Sequence, residues 1–142
     1  MANNDFVWGS NAVAMNKAIL LYQAWKVAPQ PELLTAMQGL VDYVLGRNPL
    51  QLSYVTGFGE QSPQQIHHRP SAADTVKAPI PGWLVGGAQP GKQDKCSYTG
   101  TLPATTYLDD WCSYATNEVA INWNAPLVYV LAWHLSQNTK TP

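Results

Sequence analysis

Two groups of residues in this 142-residue sequence have the types and spacing for chemistry. The first is acidic: Asp109 and Asp110 in Tyr107-Leu108-Asp109-Asp110-Trp111, and Glu118 a little further on, after Tyr114. A carboxyl group set among apolar rings is desolvated and keeps its proton to higher pH, which suits a general acid. Paired carboxyls among aromatics and amides are the equipment of glycoside hydrolysis. The plainer reading of the same residues is that Glu118 and Asp109 cap helices or pair with Arg69. The second group is His67-His68-Arg69. These side chains donate hydrogen bonds to hydroxyls, and the guanidinium can orient a carboxylate bidentately. With Cys96 and Cys112 they number four N/S donors, but the histidines are contiguous and the cysteines far apart, so no compact zinc pattern exists. The two cysteines either pair in an oxidising compartment or stay free and buried. No nucleophile elbow, P-loop or dinucleotide fingerprint occurs.

These residues need elements to position them. Apolar residues from Phe6 to Val27 crowd more than one face of a helix, as in a helix buried on several sides. Pro31 and Glu32 open a second helix, in which Leu33, Leu34, Met37, Leu40, Val41, Val44 and Leu45 recur at three and four. Gly46 suits its C-terminal cap. The pair predicts an antiparallel αα-hairpin. From Asn48 to Thr116 no long helical period survives, and prolines and glycines punctuate the chain. An irregular stretch beyond about 15 residues is functional or disordered. Its tyrosines, tryptophans and histidines exclude disorder, so it reads as a functional surface. Asn117 to Ser136 regains helical character, with Pro126 either in a first turn or kinking a longer helix.

Composition narrows the class. Charged residues make up 12% and the net charge is -1, which excludes the basic footprint of a nucleic-acid or anionic-membrane binder. No apolar run reaches the roughly 18 residues of a membrane span. The opening MANNDFVWG lacks the basic-then-apolar pattern of a secretion signal. Six Trp, seven Tyr and eleven Pro with so few charges predict a surface that something else covers.

The chain resembles the C-terminal part of a glycoside hydrolase family 9 cellulase catalytic domain over about Phe6 to His134. One motif runs from Ser53-Tyr54-Val55-Thr56-Gly57-Phe58-Gly59 to His67-His68-Arg69-Pro70. The other runs from Tyr107-Leu108-Asp109 through Tyr114 and Glu118 to Asn124-Ala125. Gly46-Arg47-Asn48-Pro49 and Phe6-Val7-Trp8-Gly9-Ser10-Asn11 also look like family segments. The resemblance implies an all-α fold, a part of an (α/α)6 barrel with about three main helices and a long ordered loop region. Residues 1–142 would form a single unit of that barrel. It implies inverting cleavage of β-1,4-glucosidic bonds, with Glu118 as general acid. The residues of the family's metal sites lie in its other half and are absent from this sequence, so no cofactor or metal is expected. His67 and Arg69 would bind glucose hydroxyls, and Tyr114 and Trp123 would contact sugar or pack beside the acid. Trp83 and Trp111 are stacking or core residues. Asp109 supports the site, or it or Asp110 substitutes for the family's catalytic base, whose Asp-Ala-Gly-Asp-like motif this sequence lacks. The family implies secretion and a β-1,4-glucan or cello-oligosaccharide substrate. Exposed helix faces imply a homo-oligomer that buries Trp8 and Trp25. The alternatives are a non-catalytic glucan-binding module and one half of a split enzyme.

Overall fold

The computed structural model describes residues 1–138. Asn3–Asp5 form a 3₁₀ turn. Helix α1 spans Ser10–Val27, α2 Pro31–Val44, α3 Arg69–Ala73, α4 Tyr114–Asn117 and α5 Ile121–Asn138, with a further 3₁₀ turn at Pro103–Thr105. Among the described residues there is no β-strand, only three isolated bridges.

Helix α2 forms as its pattern predicts. Pro31 occupies its first turn, and Met37, Val41, Tyr43 and Val44 face inward. It ends at Leu45, and Gly46 takes up the left-handed conformation (φ 123°) that lets the chain turn away. Helix α1 starts at Ser10, not at Phe6. Gly9 before it is left-handed (φ 84°), and a side chain there would strike the Trp123 indole. The buried stripe of α1 is made of small and slender residues, Ala14, Met15 and Ala18, so α2 and α5 approach it closely. Leu127 and Val130 of α5 complete this contact. At the far end of α1, Tyr22 packs on Trp133 at 4.7 Å between ring centroids, and Trp25 lies edge-on to Trp133 at 6.4 Å. Trp25 therefore finds its packing within the chain. The other helix faces stay open: Val27 is 88% exposed and Ile121 90%, with Leu20, Val128 and Leu135 also bare.

The long segment between α2 and α4 is ordered by pairing without sheets. Tyr54 N donates to Val44 O at 2.8 Å, Val85 N to Tyr54 O at 3.1 Å and Gly86 N to Glu118 O at 2.9 Å. Side chains supply the rest. Asn124 brackets Leu84, its Oδ1 accepting from Leu84 N at 2.7 Å and its Nδ2 donating to Leu84 O at 3.0 Å. Ser10 Oγ donates to Ala88 O and Asn11 Nδ2 to Val85 O. Tyr54, Leu84 and Val85 are fully buried as a result. Cys96 and Cys112 form a disulfide with Cα atoms 6.1 Å apart.

The helix expected from Asn117 begins only at Ile121, and Asn117 instead closes the short α4. Between α4 and α5 the chain is extended, with Glu118 at φ -73°, ψ 151°. Backbone pairing of Glu118 with His67 and of Val119 with Val85 takes up groups a helix would need. Pro126 lies inside α5, past its first turn, where it deprives the Asn122 carbonyl of a helical partner.

Candidate active site

Glu118 is held by its backbone and free at its side chain. His67 N donates to Asn117 O at 2.9 Å, and Gly86 N binds Glu118 O on the other side. The residue is half-buried. Its carboxyl group makes no hydrogen bond or ion pair with any described residue, unlike the other acids nearby. It opens on a cleft of about 400 Å³ lined by His67, His68, Arg69, Pro70, Glu118 and Val119. A second cavity of about 380 Å³ adjoins it through His68 and Val119 and is more apolar, with Trp83, Ile121 and Val128 in its wall.

Asp109 is in the opposite condition. Its Oδ2 accepts from Gln64 N at 2.8 Å, and its Oδ1 accepts from Gln65 N at 2.9 Å and from Asn117 Nδ2 at 3.0 Å. Three N–H donors thus converge on one carboxylate. Asn117 is the hub of this arrangement. It is fully buried, its Nδ2 also donates to Gln65 O at 2.8 Å, and its Oδ1 accepts from the Tyr107 hydroxyl. Burial, together with the negative charge of Asp109, pushes the Tyr107 hydroxyl well above the usual range. It therefore stays a donor at any physiological pH. Asp110 turns back on its own segment, its Oδ1 accepting from Cys112 N at 2.7 Å.

His67 and His68 diverge in role. The His67 ring lies flat against Trp111, 4.5 Å between centroids and 21° between planes, and edge-on to Tyr114 at 6.0 Å. Its Nδ1 sits 2.7 Å from the Trp111 carbonyl oxygen. His68 caps α3, its Nδ1 accepting from Ser71 N at 3.3 Å, and rests on the Trp83 edge at 4.3 Å. Arg69 is exposed at the first position of α3 and forms no ion pair with a described acid.

Tyr114 is half-buried between His67 and Trp8, whose ring lies 5.5 Å away. Trp123 packs in the space that Gly9 and Gly86 leave by having no side chain. Of the residues singled out in the sequence, the structure brings Glu118, His67 and Arg69 to one cleft, with Tyr114 against His67. It leaves Asp109 out of the cleft lining as a tie between segments, and sets Trp123 against the start of α1. Asn117, Asn124, Ser10 and Asn11 were not singled out for any role of their own. Each is buried or half-buried and bonded to backbone. Nothing in their local sequence marks them beyond an amide or hydroxyl side chain. Among the described residues, no three His, Cys, Asp or Glu side chains converge to hold a metal ion.

A free carboxyl beside an imidazole and a guanidinium, in an open cleft walled by rings, has the makeup of a saccharide site. Comparison with known proteins sharpens that class. The sequence matches the model of glycosyl hydrolase family 9 over residues 1–131, and the chain belongs to that family. It is 48% identical over 125 residues to a xyloglucan-specific endo-beta-1,4-glucanase of Bacteroides ovatus, covering 87% of this chain and 21% of that protein. It is 38% identical over 134 residues to endoglucanase D of Acetivibrio thermocellus, covering 94% and 20%. Among solved structures it superimposes on AaCel9A in complex with cellobiose-like isofagomine with a TM-score of 0.89 at 42% identity, covering 96% of this chain and 26% of that one. The helices described above are thus a portion of the family's (α/α)6 barrel. The chain spans about a fifth to a quarter of the length of the relatives it matches.

Proposed function

We propose that this chain supplies the acid half of a site that hydrolyses β-1,4-glucosidic bonds in cellulose or a related β-glucan. Glu118 donates its proton to the leaving glycosidic oxygen, while His67 and Arg69 hold hydroxyls of the sugar rings and Tyr114 packs against His67. The observation that carries this reading is the contrast between neighbouring carboxylates: Glu118 is unengaged among the described residues and faces the cleft, whereas Asp109 is consumed by three donors. We assign Asp109 to positioning rather than to base chemistry for that reason. An inverting mechanism then needs a base about 6.5–9.5 Å across the sugar from Glu118. That base comes from the remainder of the barrel, and the bare faces of α1 and α5 are where its helices pack, or where a second copy of the chain does when the remainder is absent. The disulfide fits an oxidising compartment and supports secretion.

The test is reducing-sugar release from a soluble β-1,4-glucan by the chain, alone and completed with the N-terminal part of a family 9 enzyme. Glu118→Gln in the completed enzyme is expected to lower the rate about 10²–10⁴-fold, the usual worth of a general acid. Equal rates would remove Glu118 from the mechanism. Cello-oligosaccharide binding without hydrolysis in the completed enzyme would instead favour a glucan-binding module.

A further inference from the structure

Nothing in the acid–base reading accounts for Trp111 and the disulfide beside it. Trp111 is 40% exposed, yet it commits one ring face to His67 and sets its carbonyl oxygen 2.7 Å from His67 Nδ1. A carbonyl oxygen only accepts, so Nδ1 must carry the hydrogen. A neutral imidazole carries one hydrogen, which leaves Nε2 with a bare lone pair. Among the described residues Nε2 has no partner, and His67 lines the cleft that holds Glu118.

The carbonyl that selects this tautomer is itself tied down. The residue after Trp111 is Cys112, bonded to Cys96. Cys112 N and Ser113 N both donate to Asp110, at Oδ1 (2.7 Å) and at the backbone oxygen (2.9 Å). The far end of the disulfide is anchored as well. Asp94 accepts from Cys96 N through Oδ1 at 3.1 Å, and through Oδ2 from Ala115 N of α4 at 3.1 Å and from the Tyr98 hydroxyl at 2.5 Å. Both ends of the disulfide are therefore fastened close to α4, the element that precedes Glu118. Without the bond, the Trp111 carbonyl would hang on an exposed turn.

We propose that Trp111, locked by the Cys96–Cys112 disulfide, is a positioning residue that holds His67 in its Nδ1–H form. His67 then accepts a hydrogen bond through Nε2 from a glucan hydroxyl, instead of donating one. The acceptor role rests on the glucan reading above, whereas the tautomer does not. A site that accepts from one hydroxyl and donates to another through Arg69 reads the orientation of a sugar ring. Two donors would accept any oxygen presented to them.

The experiment is ¹H–¹⁵N NMR of the histidine rings in the full chain at alkaline pH, where imidazoles are neutral. It is followed by cellotetraose titration of the same samples. The wild type is expected to show a protonated Nδ1 and a bare Nε2 at His67. In Cys96→Ser/Cys112→Ser the two nitrogen shifts are expected to average, and cellotetraose affinity to fall about tenfold, the equivalent of one hydrogen bond. Should the double variant lose its amide dispersion, Trp111→Ala and Trp111→Phe decide. Alanine is expected to average the shifts, and phenylalanine, which keeps a stacking ring, to restore them. A protonated Nε2 in the wild type, or an unchanged tautomer in both the double variant and Trp111→Ala, overturns the assignment. A locked tautomer in a chain that binds no cellotetraose, either alone or completed with the N-terminal part of a family 9 enzyme, overturns the glucan reading and leaves the positioning role of Trp111 standing.

Discussion

The helical layer and the site-bearing loops of this chain are stabilised by different physics. α1, α2 and α5 meet through Ala14, Met15, Ala18, Met37, Val41, Val44, Leu127 and Val130, all nearly without solvent contact. Among the described residues few side-chain hydrogen bonds cross between these helices. Gln23 Nε2 to Tyr129 Oη, at 2.7 Å, is an exposed one. The segment from Leu45 to Ala120 has no sheet and little regular helix, and its order comes from amides and carboxylates bonded to backbone. Asn48 donates to Tyr43 O and Leu52 O, Asn124 brackets Leu84, and Asn117 and Asp109 tie the histidine segment to the acid segment. Apolar contact tolerates small shifts, whereas hydrogen bonds fix direction. The division places Glu118 on the part of the molecule where direction is fixed.

The contrast can be broken from either side. The largest stability effect is expected from cavity formation in the helical layer: Met15→Ala should cost about 2–5 kcal/mol, read from denaturant unfolding. A polar deletion in the loops is expected to be of comparable size. Asn124→Ala leaves the buried Leu84 N–H and C=O without partners, at about 1–3 kcal/mol for each unpaired group. Asn124→Leu, which fills the space without restoring the bonds, should not recover that loss. Recovery would mean that the loops, too, depend on apolar packing.

A smaller effect is expected where the two regions touch. Gly9→Ala places a methyl group 2.7 Å from Trp123 Nε1 at a left-handed φ, and should cost about 1–3 kcal/mol through backbone strain and displacement of the indole. The displaced indole is expected to change the tryptophan fluorescence of the folded chain. An unshifted spectrum with unchanged stability would mean that α1 and the site are not coupled through Trp123.

Acid should separate the regions more gently. Asp5 lies below the ordinary carboxylate range because Lys17 donates to it at 2.6 Å, helped by Ala2 N and opposed by burial. For Asp94 burial pushes the value up, but bonds from Tyr98, Cys96 and Ala115 outweigh it and the net shift is down. Carboxyls depressed in the folded state stabilise it fully above their unfolded value of about 4, and that share is lost as pH falls through the folded values. Thermal midpoints are therefore expected to hold from neutrality to about pH 5 and to drop in more acidic buffer. Asp5→Asn should flatten part of that drop and Asp94→Asn another part. A drop unaltered by both would place the acid sensitivity elsewhere.

The smallest stability effect belongs to the bare helix faces. Ile121→Ser or Val128→Ser should change the stability of a monomer by less than about 0.5 kcal/mol. The same changes are expected to reduce self-association of the isolated chain in sedimentation experiments, because those faces are its open apolar surface. A monomeric wild type at high concentration would remove the homo-oligomer proposal.

Much of this molecule was legible in its residues. The spacing of Leu34, Met37, Val41 and Val44 located α2 and its inner face, and Pro31 and Gly46 marked its ends. Glycines and prolines marked the irregular middle as something other than helix. What misled was helical tendency around Glu118. Asn117 to Ser136 carries enough helix-compatible residues to suggest one element, yet Glu118 and Val119 are extended and pair with His67 and Val85. Those partners lie tens of residues away, and local propensity does not register them. The same holds for the start of α1: the apolar pattern extends back to Phe6, but the helix begins at Ser10 because the packing of Trp123 on Gly9 is a long-range fact.

The sequence by itself determined the family, the three main helices and the residue types of the site, since periodicity and motif spacing are properties of neighbours along the chain. Only the tertiary structure decided which carboxylate is free. It spent Asp109 on Gln64, Gln65 and Asn117, closed Cys96 on Cys112, and laid Trp111 on His67. A carboxylate's role depends on what donates to it in space, and those donors arrive from segments whose order along the chain does not say where they will meet.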